Sequence, residues 1–501
     1  MRLKQIILAL FMMAFFSIIA LDIIGFKTKK LHGEFEVVLK PELTWEEFYG
    51  SWFQDKYAEY LRTNFALRSK FILMYNQLDY SLYNKLHAPG TVIGKEDEFF
   101  EIGRIKPLYG EDFVSMPNIQ SKIDMLRFVA DTLAKQGKPL VILLAGDKPR
   151  VMHKYLPDKY QKNWADTSNF SIYTSILSKE KNIRYIDFES YSMRVADTSK
   201  VPIYPKYSLH WSTYTMYLAI DSLRKVVDQQ VKNKTSAIPV LKGFEKDVNA
   251  RYLEYEMINI LNLYFPYTKT ENIYPKIEYK QPIGTKKPFI IQIGDSFGEL
   301  LLEPGYYTSV FNDSSLVFRY NAIVKSRTGL HNSNVNDIDY WSYINKADAI
   351  VIVTSELNLD NFGMGFIEKA YNHYKGTSEF FDYIHPFRVK EQKINNTIEY
   401  VLLPGDRTTF FKNRNFNVKA GKKYALTFEA KGEKALIFDL FPDFLPQYKA
   451  DLGPNWKNYR WEFSMPENEM PEQVAFRIFF DVDYTFNKEM RIRNFKLEEV
   501  K

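Results

Sequence analysis

Two short segments hold the residue types that could do chemistry in this chain. Gly294-Asp295-Ser296-Phe297 directly follows the apolar run Phe289-Ile290-Ile291-Gln292-Ile293, and His210-Trp211 lies 86 residues upstream of the serine. A serine on a glycine-containing turn at the end of a buried strand exposes its hydroxyl, and the backbone N–H groups beside it can hold an oxyanion. Histidine is the side chain whose unperturbed pKa suits it to take that hydroxyl's proton near neutral pH. The pair predicts acyl transfer or ester hydrolysis. Each residue also has a plainer reading. Ser296 can be a turn serine capping the next helix, a position that favours Ser and Asp. His210 can be a core-edge histidine, and Asp295 can simply shape the turn through backbone hydrogen bonds.

The elements that must position these residues follow from periodicity. Ile119, Ile123, Leu126, Ala130 and Leu133 mark one face of a helix, and Gly137 is a plausible stop. Leu140 to Leu144 is an apolar strand that turns out through Ala145-Gly146-Asp147-Lys148. A helix around Ile172 and Ile176 feeds the strand Ile183 to Asp187. His210-Trp211-Ser212 opens another helix, with Met216, Ile220, Leu223 and Val227 on one side. Strands follow at Phe289–Ile293, Leu316–Arg319 and Ala349–Val353. Apolar strands alternating with amphipathic helices predict an α/β fold, a parallel sheet covered on both faces. Ligands of such open sheets bind beyond the carboxyl ends of the strands, where Ser296 falls.

Upstream, Phe65-Ala66-Leu67-Arg68 introduces a helical repeat through Phe71, Met74, Leu78 and Leu82, and Val92-Ile93-Gly94-Lys95 to Phe99-Phe100 reads as a hairpin. After about residue 390 the pattern changes. Tyr400–Leu403, Tyr424–Phe428, Ala475–Phe480 and Ile492–Leu497 are strand-like and separated by short turns, predicting a β-sandwich or jelly roll. At the N-terminus Arg2 and Lys4 precede the apolar run Ile6–Leu21, and Asp22, Ile23-Ile24-Gly25-Phe26 and Lys27, Lys29 and Lys30 follow. This predicts a membrane helix, with a cleaved signal peptide as the alternative; both place the bulk of the chain outside the cytoplasm. The expected division is residues 1–30 as anchor or signal, 31–385 as the α/β domain and 390–501 as the β-sandwich.

Composition narrows the function classes. The chain has 501 residues, 46% of them hydrophobic and 26% charged, and its net charge of +6 is spread without a dense basic block, so no nucleic-acid partner is expected. There is no cysteine, which excludes disulfides, thiolate metal sites and a Cys nucleophile. The seven histidines form no H-x-x-x-H pair, and neither a P-loop nor a strand-linked G-x-G-x-x-G occurs, so no metal or cofactor is expected. Aromatics are abundant at 16%; they belong mainly to cores but also serve as platforms for sugar rings.

With these segments in place, the chain resembles the alginate O-acetyltransferase family of SGNH-hydrolase-like proteins over roughly residues 60–385. The resemblance is carried by Asn64-Phe65-Ala66-Leu67-Arg68, Val92-Ile93-Gly94-Lys95 through Phe99-Phe100, Asp147-Lys148 followed by Tyr155-Leu156-Pro157, His210-Trp211-Ser212, Gly294-Asp295-Ser296-Phe297, and Val351-Ile352-Val353 to Glu356 and Leu359. The C-terminal part is similar in type to carbohydrate-binding modules. The resemblance implies a periplasmic or otherwise extracytoplasmic O-acetyltransferase acting on a polysaccharide. Ser296 would be the nucleophile, His210 the base, and a membrane-bound O-acyltransferase the donor partner. Lys148, Trp211, Trp456 and Trp461 are the expected substrate contacts, although Lys148 can equally be a solvated charge and the β-domain tryptophans core anchors.

Two positions depart from the family pattern. The aspartate expected two residues before the histidine is Ser208, and Asn358 stands where an arginine is common. A serine can hydrogen-bond the imidazole but cannot stabilise an imidazolium as a carboxylate does. Three outcomes follow: another carboxylate substitutes, with Asp295 and Asp147 the candidates; a Ser-His dyad operates; or catalysis is lost and a polysaccharide-binding scaffold remains. A carbohydrate esterase would use the same residues with water as acceptor.

Overall fold

The computed structural model describes residues 2–500 except 27, 34–37, 51, 84, 89, 266–270, 376–382, 385–388, 396, 404–410, 414–417, 434, 442–446, 468–474 and 481–488. Lys27, one of the lysines flanking the apolar N-terminal run, lies outside the described residues.

The α/β part is organised by a six-stranded sheet. Its strands run in the order Ile183–Asp187, Leu140–Ala145, Ala349–Ser355, Ile290–Gly294, Leu316–Arg319, Ile323–Lys325. The first five are parallel and the last turns back antiparallel. The two-residue period of a strand sends alternate side chains to opposite faces. Val141, Leu143, Val351 and Val353 pack on one face with Met216, Ile220, Leu223 and Val227 of the helix Thr213–Gln230. Leu140, Ile142, Leu144, Ile350 and Ile352 pack on the other with Ile119, Ile123, Leu126 and Leu133 of the helix Met116–Lys135. Each such side chain, fully buried, contributes about 1.5–3 kcal/mol. The strands most enclosed are therefore those read from the sequence as unbroken apolar runs.

One element was not foreseen. Ile238–Asp247 and Asn272–Lys280 form an antiparallel ribbon, with a register shift between Leu241 and Gly243. The ribbon packs against the α/β core through Ile277 and Tyr279, and Phe244 meets Tyr214 edge-on at 5.5 Å. The segment between its strands carries a single helical turn, Glu256–Asn259. Met257 and Leu261 bury that segment against Phe99 and Tyr207, and Met257 N–H donates to Tyr207 O at 3.1 Å.

The C-terminal part holds two five-stranded antiparallel sheets. One runs Tyr383–Ile384, Phe411–Asn413, Ala475–Phe480, Ala435–Phe441, Tyr448–Asp451; the other runs Val389–Ile394, Thr397–Leu402, Met490–Val500, Lys423–Lys431, Lys457–Ser464. One apolar core draws on both sheets, with Leu436, Phe438 and Ile478 from the first and Leu426, Phe428 and Trp461 from the second. This fits the expected β-sandwich.

One expectation requires correction. Residues Arg2–Ile23 are helical, but among the described residues no helix is long and apolar enough to cross a membrane. The helix carries Arg2, Lys4 and Gln5 at its start and Asp22 near its end, so its uninterrupted apolar run is Ile6–Leu21. The helix Arg68–Tyr83 forms where its spacing predicts, with Phe71, Met74, Leu78 and Leu82 exposed.

Candidate active site

Ser296 is the first residue of a short helix, Ser296–Leu300, that begins as the strand Ile290–Gly294 ends. The turn is tight because of Asp295, a fully buried residue in extended conformation. Its carboxylate accepts hydrogen bonds from Phe297 N–H at 3.0 Å, Ser355 N–H at 2.7 Å and Asn358 Nδ2 at 2.9 Å. Three donors on one side chain lock the serine turn to the loop leaving the neighbouring strand. Asp295 thus shapes the turn and is not the acid behind the histidine. Phe297 N–H, given to Asp295, is also not a spare oxyanion donor. Gly298 lets the helix sit close on its strand: a Cβ there would stand 2.5 Å from Gln292 Nε2 and 3.2 Å from Val353 Cβ.

His210 comes from the loop before the helix Thr213–Gln230, whose start is capped by Ser212 accepting from Thr215 N–H. The ring lies beside the serine, with Nε2 2.7 Å from Ser296 Oγ. Its other nitrogen, Nδ1, is 2.7 Å from Oε1 of Glu256, 46 residues away in the sequence. The same oxygen accepts from Ser208 Oγ at 2.8 Å and from Leu209 N–H at 3.0 Å. Burial alone would push the Glu256 carboxyl up. The hydrogen bonds and charge of His210, with Ser208 and Leu209 N–H, outweigh it and hold the group below its ordinary value. A carboxylate in this position fixes the imidazole tautomer that leaves Nε2 free to accept from the serine.

Ser208 is therefore a support for the carboxylate. Its hydroxyl donates to Glu256 and accepts from His210 N–H at 3.0 Å. Tyr320 is a further neighbour that the sequence did not suggest. It follows the strand Leu316–Arg319 with a left-handed φ of 49°, its N–H donates to Gly294 O at 2.7 Å, and its hydroxyl lies near enough to Ser296 and Asp295 to be influenced by both. Burial and the Asp295 charge push that hydroxyl's pKa up.

The remaining expected site residues lie elsewhere. Asp147 is fully buried and paired with Arg104 at 2.5 Å, and its second oxygen accepts from Leu357 N–H at 2.8 Å, so it does not reach the histidine. Lys148 is buried too. Its ammonium meets Glu98 at 2.8 Å and donates to the carbonyls of Pro205 and Lys206, stapling the segment that leads into His210 instead of meeting a sugar. Trp211 is 1% exposed and packs edge-on against Phe188 and Phe297, a core residue under the site. Trp461 lies inside the β-sandwich, stacked on Tyr448 at 6.0 Å. The alternation along Lys457–Ser464 explains this, since Tyr459, Trp461 and Phe463 all point inward. Trp456 is half-buried, with the Arg493 guanidinium 3.9 Å over its ring. Asn358 supports Asp295.

A serine, a histidine and a carboxylate in hydrogen-bonded series, at the carboxyl ends of a parallel sheet, form the constellation of acyl-transferring serine hydrolases as a class. No family profile matches the chain. A curated relative, the probable alginate O-acetylase AlgJ of Pseudomonas putida, is 22% identical over 153 residues, which is 30% of this chain and 37% of the relative. The chain thus spans little more than a third of that relative's length. Among solved structures, AlgX of Pseudomonas aeruginosa covers 82% of this chain and 95% of its own, at 12% identity and a TM-score of 0.40. The O-acetyltransferase domain of Pseudomonas putida AlgJ covers 57% and 100%, at 16% identity and a TM-score of 0.37. The sequence similarity to AlgJ accords with the resemblance carried by the sequence blocks.

Proposed function

We propose that this protein is an O-acyltransferase that moves an acetyl group onto a polysaccharide hydroxyl outside the cytoplasm, through an acyl-enzyme on Ser296. The observation that supports it most is the unbroken hydrogen-bonded series Ser296–His210–Glu256, with both contacts to the imidazole at 2.7 Å. His210 Nε2 takes the serine proton as Oγ attacks the donor's acyl carbon, and returns it to the leaving group. The acceptor hydroxyl then gives its proton to the same nitrogen as it attacks the acyl-serine, and Ser296 is regenerated. Glu256 holds the ring and offsets the positive charge it carries between these steps. The partners of this reading are a polysaccharide acceptor and a membrane-bound O-acyltransferase that delivers the acyl group. The half-buried Trp456 and Arg493 give the β-sandwich a surface suited to a sugar.

The binding-only alternative drew its strength from the missing aspartate, and Glu256 removes that reason. Ser296→Ala tests the proposal. The variant should fold as the parent does and lose both polymer acetylation and turnover of a small acetyl ester. Unchanged turnover would remove Ser296 from the mechanism. Comparing turnover with and without a sugar acceptor separates transfer from esterase action.

A further inference from the structure

Glu256 reaches His210 from a separate part of the chain. A carboxylate two residues before a histidine is placed by the same backbone turn, whereas one 46 residues away needs contacts of its own to set its height. On the C-terminal side these are apolar, through Met257 and Leu261. On the N-terminal side stands Glu254, a second carboxylate that takes no part in the series above.

Glu254 is 3% exposed and hydrogen-bonds with the Tyr274 hydroxyl, on the second strand of the ribbon. Thr213, which starts the helix that follows His210-Trp211-Ser212, lies close by, and its N–H favours the carboxylate form. Tyr274 Oη in turn accepts from Arg251 N–H at 2.9 Å, and the Arg251 guanidinium lies 4.1 Å over the Tyr274 ring. The charged and titratable groups facing Glu254 are thus Tyr274 and Arg251, with Tyr252 and Tyr306 near enough to feel its charge. Burial is the largest influence on its carboxyl and pushes it up to about 7. A buried carboxyl is kept where its hydrogen bonds hold something in place. Here they join the ribbon to the segment bearing Glu256.

We propose that Glu254, buried and held by Tyr274, is a positioning residue that sets the Glu256 carboxylate against His210. The inference deepens the proposed function and rests on His210 acting with Ser296. It acts through Glu256 and touches neither donor nor acceptor.

The test uses the full chain with Glu254→Ala, Glu254→Gln, Tyr274→Phe, Glu256→Gln and the Glu254→Ala/Glu256→Gln pair. Two readouts are taken: turnover of p-nitrophenyl acetate, and the downfield proton resonance of His210 Nδ1–H, assigned by its loss in His210→Asn. Glu254→Ala should lower kcat about tenfold with KM within about twofold, and should move the resonance toward its position in Glu256→Gln. Added to Glu256→Gln, the same change should cost less than about twofold, because coupled residues are not additive. Glu254→Gln, whose carbonyl can still accept from the Tyr274 hydroxyl, should restore most of kcat. An unmoved resonance, or equal losses in both backgrounds, would overturn the proposal. If Glu254→Ala does not fold, Tyr274→Phe decides, with a smaller loss of the same pattern expected and an unmoved resonance overturning it. Absence of Ser296-dependent turnover in the parent would defeat the acyl-transfer reading instead, while the resonance still decides whether Glu254 positions Glu256.

Discussion

Replacing Glu256 by Gln removes one charge and almost no volume, so it isolates what the carboxylate does for the imidazole. Oε1 alone accepts the bonds from His210, Ser208 and Leu209. A glutamine that turns its carbonyl to that side keeps all three donors and the ring's tautomer. What it loses is the attraction to the imidazolium formed when Ser296 gives up its proton. Two unit charges about 4 Å apart attract by about 4 kcal/mol at an effective dielectric near 20. The Glu256 side chain is 20% exposed, so solvent takes back part of this. At about 1.4 kcal/mol per decade, kcat should fall roughly 10²- to 10³-fold. In serine proteases the equivalent neutralisation costs about 10⁴. The assay is steady-state hydrolysis of p-nitrophenyl acetate, paired with the rate at which phenylmethylsulfonyl fluoride labels Ser296. Both rates should drop together, and KM should hardly move. A folded variant retaining a fifth or more of parental kcat would refute the reasoning.

Other substitutions separate structural from functional roles. Lys148→Ala leaves Glu98 unpaired and frees the Pro205 and Lys206 carbonyls, so it should destabilise the protein by about 3–5 kcal/mol, read as a lowered midpoint in urea. Trp461→Ala should cost about 3–5 kcal/mol by opening a cavity in the β-sandwich. Trp456→Ala should leave the midpoint nearly unchanged, and polysaccharide affinity, measured by calorimetry, is where its effect should appear. Acidity acts on the two glutamates in opposite senses. The folded pKa of Glu256 is depressed, so its contribution is present above the ordinary 4.5 and is lost as pH falls through the lower folded value. Glu254 is raised to about 7, so its proton favours the folded state and that contribution fades as pH climbs from 4.5 to 7. Thermal unfolding of Glu254→Gln should therefore gain on the parent between pH 5 and 7, and a constant difference across that window would contradict the shift.

Much of the site was legible because its chemistry is local. A strand, a tight turn and a helix start occupy consecutive residues around Ser296, and the periodicities of 2 and 3.6 marked the sheet and its covering helices. Position in sequence did not reveal burial. Lys148 follows a strand as a substrate contact might, yet its neighbours in space, Glu98 and the carbonyls before His210, make it a staple. Trp211 and Trp461 look like sugar platforms in one dimension and are core residues in three, because helix packing and strand alternation turn them inward.

The sequence by itself determined the serine turn, the histidine block and the layers that carry them, since each depends on neighbours a few residues away. Only the tertiary structure decided which acid stands behind the histidine. Ser208 had surrendered the charge at the expected position, and Glu256 supplies it from a segment between two ribbon strands. A carboxylate needs to be within about 3 Å of its partner, a condition on distance in space that spacing along a chain does not encode.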